Sequence, residues 1–286
     1  MVIKRAKILG FCMGVKRAVD IAAAEAQKGS GVYTFGPLIH NPKVIKNLKD
    51  MGIQTMEDIP CDNTQCTVII RTHGISPVTE NELRAKGCRI IDATCPKVKA
   101  SQLKAEELSR AGYCVFLAGE TAHAEIEGIK GYAACEENNF CEVVGSAQEA
   151  LRKAKKLYSV NNDAKTALLG QTTISDDEYR VIGEKIQLFF PNLEIIQTIC
   201  AATKERQNAL RELLPELDAV IIAGGKESAN TRRLLTIAQE SGKPAALAQD
   251  ASEIPQSFFT YKTVGICAGA SAPDSVIEEI ESALIS

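Results

Sequence analysis

A chain of 286 residues with 45% hydrophobic side chains can bury a sizeable core, and its length suits one large unit or two to three small ones. A formal charge of −3 gives no general attraction to nucleic acid, and the absence of tryptophan with only 5% aromatics excludes a stacking platform for bases. No apolar run approaches the roughly 20 residues that cross a bilayer, and ten cysteines behind an opening, MVIKRAKILGFCMG, that leaves no room for a signal or transit peptide point to a reducing cytoplasm.

Short apolar stretches alternate with helical patterns from end to end, which predicts an α/β fold with mainly parallel sheets. In chain order the expected strands are VYTFG, TVIIR, RIID, CVFLAG, TALLG, LEIIQT, DAVIIAGG and TVGICAG. Nearly every one ends in a turn rich in Gly, Thr, Ser or His, followed by a helix. The turns align into three classes. The first comprises GPLIHNPKVI around His40, GETAHAEIEGI around His123 and GGKESANTRRL around Ser228 and Asn230. RTHGISPVTENEL around His73, GQTTISDDEYR around Thr172 and AGASAPDSVIEEI around Ser271 make the second. The third holds Cys12, Cys95 and Cys200, in AKILGFCMGVKRAVDIA, RIIDATCPKVKASQL and EIIQTICAATKERQNAL. This repeat predicts three similar α/β modules in a pseudo-threefold arrangement around a central cavity: residues 13–95, 96–198 and 199–286, the last completed by the N-terminal segment 1–12. The turns would then lie beyond the carboxyl ends of parallel strands, where α/β proteins place their sites.

Each of the three cysteines stands where an apolar run breaks into a turn that opens a helix. The helix dipole and the unsatisfied N–H groups there favour the thiolate, the form that binds metal. Three such ligands meeting at one point would hold an iron–sulfur cluster with one iron left open to substrate. Cys61, Cys66, Cys88, Cys114, Cys135, Cys141 and Cys267 lack this context and read as structural.

The chain has only three histidines, His40, His73 and His123, and each falls in one of the aligned turns. With Thr172, Ser228, Asn230 and Ser271 they offer directional hydrogen bonds and limited positive charge, which suits a small phosphorylated ligand near helix N-termini. GGKESAN lacks the spacing of a P-loop, and no strand followed by G-x-G-x-x-G supports a dinucleotide. Glu125, two residues beyond His123, is the acid placed to deliver protons, because burial or a nearby negative charge raises a carboxyl pKa. On a helix, Glu127 would point elsewhere.

Taken as an ordered set, GFCMGVKRAV, GPLIHNP, THGISP, DATCPKV, the H-x-E of TAHAEIEGI, QTT, ICAATKERQ, the ESAN turn and AGASAP run from residue 10 to about 275. In them the chain resembles the IspH/LytB family of 4-hydroxy-3-methylbut-2-enyl diphosphate reductases. The resemblance implies one [4Fe–4S] cluster on Cys12, Cys95 and Cys200, with His40, His73, His123, Thr172, Ser228, Asn230 and Ser271 around the substrate. It implies proton delivery by Glu125, assisted by Thr172 and His123, and a ferredoxin or flavodoxin-type electron donor. The implied reaction is two-electron reductive dehydroxylation to isopentenyl and dimethylallyl diphosphate, the last step of the non-mevalonate (MEP) route to isoprenoids. One departure is visible: where the family often has a second serine, this chain has Ala229. Two other classes share three dispersed cysteines: a redox-neutral cluster enzyme resembling quinolinate synthase, and an iron–sulfur sensor. A sensor would need a partner surface, and no basic recognition helix or coiled-coil segment is evident.

Overall fold

In a computed structural model, residues 1–29, 31–59, 66–134 and 140–285 are described. The chain begins with β1 (Val2–Arg5), α1 (Met13–Ala26), β2 (Val32–Phe35), α2 (Pro42–Asp50), β3 (Gln54–Met56), β4 (Thr67–Ile70), α3 (Pro77–Ala85) and β5 (Arg89–Asp92). It continues through α4 (Pro96–Arg110), β6 (Cys114–Ala118), α5 (Ala124–Ala133), β7 (Cys141–Val144), α6 (Ala147–Val160), β8 (Thr166–Gly170), α7 (Asp176–Gln187) and β9 (Glu194–Ile195). The last stretch carries α8 (Ala201–Leu213), β10 (Ala219–Ala223), α9 (Ala229–Glu240), β11 (Ala245–Ala248), β12 (Thr263–Ala268) and α10 (Asp274–Ile285). These strands form three four-stranded sheets, and the pairings described within them are parallel, as the alternating pattern predicts.

The chain divides into two compact units. The first gathers Met1–Ser30, Pro37–Thr55 and Ala201–Ser286 around the sheet ordered β1-β12-β10-β11. Every residue of β10 is buried, and its side chains alternate between two apolar layers. Ala219, Ile221 and Ala223 meet Val276, Ile277 and Ile280 of α10, while Val220 and Ile222 meet Leu210 of α8 with Leu234 and Ile237 of α9. A strand covered on both faces has to be apolar throughout, which is why AVIIA stands out in the sequence.

The second unit, Gly31–Gly36 with Met56–Cys200, contains β2, β4 and β5 of the sheet ordered β3-β2-β4-β5, and all of the sheet ordered β7-β6-β8-β9. β8 is its counterpart of β10, with Leu168 in the layer of Tyr179 and Ile182 from α7, and Ala167 and Leu169 in the layer of Leu108, Ile126 and Ile129 from α4 and α5. The helix starts are set by local chemistry. Ser76 and Ser146 accept N–H bonds from Thr79 and Glu149, and Ser175 forms a capping box with Glu178.

Before Cys12 the chain turns as expected: β1 ends at Arg5, and residues 6–12 turn through Gly10, whose φ of 73° lies in the left-handed region, to open α1. A side chain at Gly10 would also meet the Asp274 carboxylate, since its Cβ would lie 2.4 Å from Oδ1.

Candidate functional site

The sites expected from sequence follow the carboxyl ends of strands in both units. In the first unit Cys12 immediately precedes α1, and its N–H donates to the Ala270 carbonyl at 3.2 Å, one residue before Ser271. The Ser271 hydroxyl donates to the His40 carbonyl at 3.3 Å. That carbonyl is also packed by Gly225, where a Cβ would lie 2.1 Å from the oxygen, so only glycine fits. Ser228 caps α9: its Oγ accepts the Thr231 N–H at 3.4 Å, which leaves its own proton for another acceptor. Cys12, His40, Ser228 and Ser271 are thus tied through short turn contacts.

Asn230 is 4% exposed, and neither end of its amide has a hydrogen-bond partner among the described residues. Leaving such groups unsatisfied costs about 1–3 kcal/mol, so a ligand that bonded to them would recover that loss. Thr231 beside it is fully buried, filling the space between Gly224 and Gly269, whose Cβ atoms would lie 2.7 Å and 2.1 Å from its Oγ1. The turns after β10 and β12 are therefore spaced by one side chain.

In the second unit the expected residues form one continuous network. The Cys95 N–H donates to the Thr72 carbonyl at 3.0 Å, next to His73. The His73 and His123 rings meet edge to face at 5.2 Å. His123 Nδ1 accepts the Glu125 N–H at 3.2 Å as the cap of α5, so in the neutral ring the proton sits on Nε2. The Thr172 N–H and hydroxyl donate to the two Glu125 carboxylate oxygens at 2.6 and 2.9 Å. The Thr172 carbonyl in turn accepts the Cys200 N–H at 2.9 Å, just before α8.

Burial raises the Glu125 pKa to about 7, against the two bonds from Thr172, which favour the ionised form. Glu127 is exposed, as the helix geometry predicts. The cysteines divide chemically. Cys12, Cys95 and Cys200 are half-buried, none is in a disulfide, and neither Cys12 nor Cys95 uses its side chain to cap the helix it starts. Desolvation instead pushes the thiols of Cys66, Cys141 and Cys267 up to about 11, 12 and 12, and raises Cys114 as well, which disfavours the thiolate. Cys61 and Cys135 lie outside the described residues. A half-buried thiol at a helix start is the kind of soft donor that an iron–sulfur cluster takes.

Some supporting residues escape sequence reading. Arg206 is 2% exposed and donates to the Gly10 carbonyl at 3.0 Å, steadying the turn that presents Cys12. The signal was there: Thr203, Arg206, Gln207 and Leu210 are spaced i, i+3, i+4, i+7, one buried stripe of α8. Gln171 was another, its Oε1 accepting the Glu120 N–H at 3.0 Å and so fixing the turn before α5.

The model of the LytB protein family matches residues 3–285. A protein of Treponema denticola named 4-hydroxy-3-methylbut-2-enyl diphosphate reductase is 44% identical over 294 residues, covering 100% of this chain and 99% of its own. One of the same name from Aquifex aeolicus is 41% identical over 276 residues, covering 96% and 92%. The solved structure of the Plasmodium falciparum E-1-hydroxy-2-methyl-but-2-enyl-4-diphosphate reductase superposes with a TM-score of 0.91 at 26% identity, covering 100% of this chain and 88% of that one. A structure described as (E)-4-hydroxy-3-methyl-but-2-enyl diphosphate reductase, the terminal enzyme of the non-mevalonate pathway, is 39% identical with a TM-score of 0.70, covering 100% and 99%. With a match that spans nearly every residue and relatives this similar over their whole lengths, the chain belongs to the LytB protein family.

Proposed function

We propose that the chain reduces 4-hydroxy-3-methylbut-2-enyl diphosphate to isopentenyl and dimethylallyl diphosphate, with Cys12, Cys95 and Cys200 holding a [4Fe–4S] cluster. When bound, such a group supplies electrons one at a time and Lewis acidity at the iron that no cysteine ligates. The protein's own residues do the rest. His40, His73, His123, Ser228, Asn230 and Ser271 bind the diphosphate, and Ser228 is suited to this because its capping bond leaves the hydroxyl proton available. Ala229 contributes no hydroxyl where the family often has one.

Glu125 holds the proton needed when the allylic hydroxyl departs as water. With a pKa near 7 it is about half protonated at neutral pH, and Thr172 Oγ1, 2.9 Å from its Oε2, is the relay. The observation that carries the reading is this buried carboxyl, linked in one network to two histidines on one side and to Cys200 on the other. Electrons would come from a ferredoxin or flavodoxin-type protein in the cytoplasm.

The test is anaerobic reconstitution followed by assay with the hydroxylated diphosphate and dithionite. Isopentenyl and dimethylallyl diphosphate should appear only when the reductant is present. A fully loaded protein that forms neither product, or one that consumes substrate without reductant, overturns the reading in favour of redox-neutral chemistry.

A further inference from the structure

In the second unit β9 leaves the sheet early, and the way it leaves bears on Glu125. Ala167 and Leu168 of β8 stand opposite Glu194 and Ile195 of β9, and the Ile196 N–H still donates to the Leu168 carbonyl at 2.9 Å. A parallel ladder is evenly spaced. Its next rungs would run from the Gly170 N–H to the Ile196 carbonyl, from the Thr198 N–H to the Gly170 carbonyl, and from the Thr172 N–H to the Thr198 carbonyl.

Other partners take all three places. The Gly170 N–H donates to Thr198 Oγ1 at 2.7 Å, and the same hydroxyl donates to the Gly170 carbonyl at 2.7 Å. The Ile196 carbonyl accepts the Tyr179 hydroxyl at 2.6 Å. The Thr172 N–H goes to Glu125 Oε1 at 2.6 Å. Pairing resumes at Cys200, whose N–H donates to the Thr172 carbonyl at 2.9 Å. One side-chain hydroxyl thus stands where two backbone rungs would be, and it holds the chain before Cys200 off β8.

We propose that Thr198 is a positioning residue for the proton relay: its hydroxyl interrupts the ladder at Gly170, which leaves the Thr172 N–H to Glu125 while the Cys200 turn stays docked. The catalytic consequence rests on reading Glu125 as the acid; the interrupted ladder does not. Valine has the shape of threonine but neither donates nor accepts, so Thr198→Val strips both backbone groups of the buried Gly170 of their partner. Buried backbone groups are nearly always paired, so the two strands should close on the skipped rungs. The third rung then competes for the Thr172 N–H and draws it away from Glu125. Serine keeps the hydroxyl and should keep the gap.

Isotope-edited infrared spectroscopy of the loaded enzyme reads the Glu125 carboxyl directly, its band identified by its loss in Glu125→Gln. The band should shift in Thr198→Val and hold its wild-type position in Thr198→Ser, with cluster absorbance unchanged in both. Single-turnover reduction should slow by about tenfold to a hundredfold in Thr198→Val, the size of effect that a small misplacement of a reacting group produces. Substrate Kd should stay within about twofold, since the change is confined to the chemical step, and Thr198→Ser should recover most of the rate. Leu193→Ala, which opens a cavity in the core just before β9, should lower the melting temperature without moving the band. An unshifted band in Thr198→Val, a shifted band without loss of rate, or a Thr198→Ser enzyme that behaves like Thr198→Val overturns the proposal. A wild-type protein that reduces nothing overturns the reductase reading instead, and the band comparison still decides whether Thr198 sets the Glu125 contact.

Discussion

Glu125 and Glu127 lie two residues apart on α5, yet the first is 2% exposed and carries a pKa near 7 while the second faces solvent. If Glu125 supplies the proton, Glu125→Gln keeps the shape and an acceptor for the Thr172 N–H, turns the other oxygen into an amide donor that faces the Thr172 hydroxyl, and removes the acid. Single-turnover reduction should then slow by about 10²–10⁴-fold with cluster content unchanged. In the wild type kcat should fall as pH rises through about 7, because the acid form is lost, and the variant should lose this limb. Ala229 gives the opposite kind of test. It is buried next to Ser228 at the start of α9, so Ala229→Ser adds a hydroxyl beside the expected diphosphate position and should tighten substrate binding by about tenfold, measured by calorimetry. The thiols provide a third. Cys12→Ser, Cys95→Ser and Cys200→Ser should each lose most of the cluster absorbance after reconstitution. Cys114→Ser should retain it, because burial already raises that thiol's pKa away from the ligating form.

Among the elements, the strands that the sequence hides all lie at sheet edges, although two edge strands, β5 and β9, are legible in RIID and LEIIQT. β4, β6, β8, β10 and β12 are central or deeply covered, and they read as apolar runs. β1, β3, β7 and β11, which the apolar pattern does not pick out, are all edge strands. An edge strand has one neighbour and is covered less, so VIKR, QTM, CEVV and AALA need no continuous apolar face. The helices are easier to find because capping is local. Ser76, Ser146, Ser175 and Ser228 each mark a start within three residues of the N–H they accept. Thr231 links two elements that no local pattern connects. It fits between Gly224 and Gly269 so tightly that Gly269→Ala has to displace it and with it the Ser228–Asn230 turn. The substrate KM should rise by about tenfold or more and the melting temperature should fall, with the cluster spectrum unchanged. A Gly269→Ala enzyme with ordinary KM would show that the two turns are set independently.

For the molecule as a whole, the buried acid that serves the chemistry is a cost to the fold. The Glu125 pKa rises from 4.5 to about 7 on folding, so its contribution is fully favourable below pH 4.5 and is lost as pH climbs through 7. Two to three pKa units correspond to about 3 kcal/mol, a large share of the 5–15 kcal/mol that holds an ordinary domain together. Glu125→Gln should therefore raise the unfolding midpoint relative to wild type at pH 8 and leave it unchanged at pH 4.5. Equal stability at pH 8 would mean that the Thr172 bonds fully offset the burial of the carboxylate.

What the sequence determined by itself was whatever depends on neighbours in the chain: the alternation of strand and helix, the cap residues, the cysteines at helix starts and the polar turns that follow apolar strands. Family resemblance then supplied the chemistry that those turns serve. The tertiary structure alone decided which distant turns touch. It set the first strand beside the last, Val2 opposite Thr263, and ran one path of hydrogen bonds and a ring contact from Cys95 past His73, His123, Glu125 and Thr172 to Cys200. It also raised Glu125 to a pKa near 7, which spacing cannot do, because desolvation is imposed by side chains that pack around the carboxyl from elsewhere in the chain.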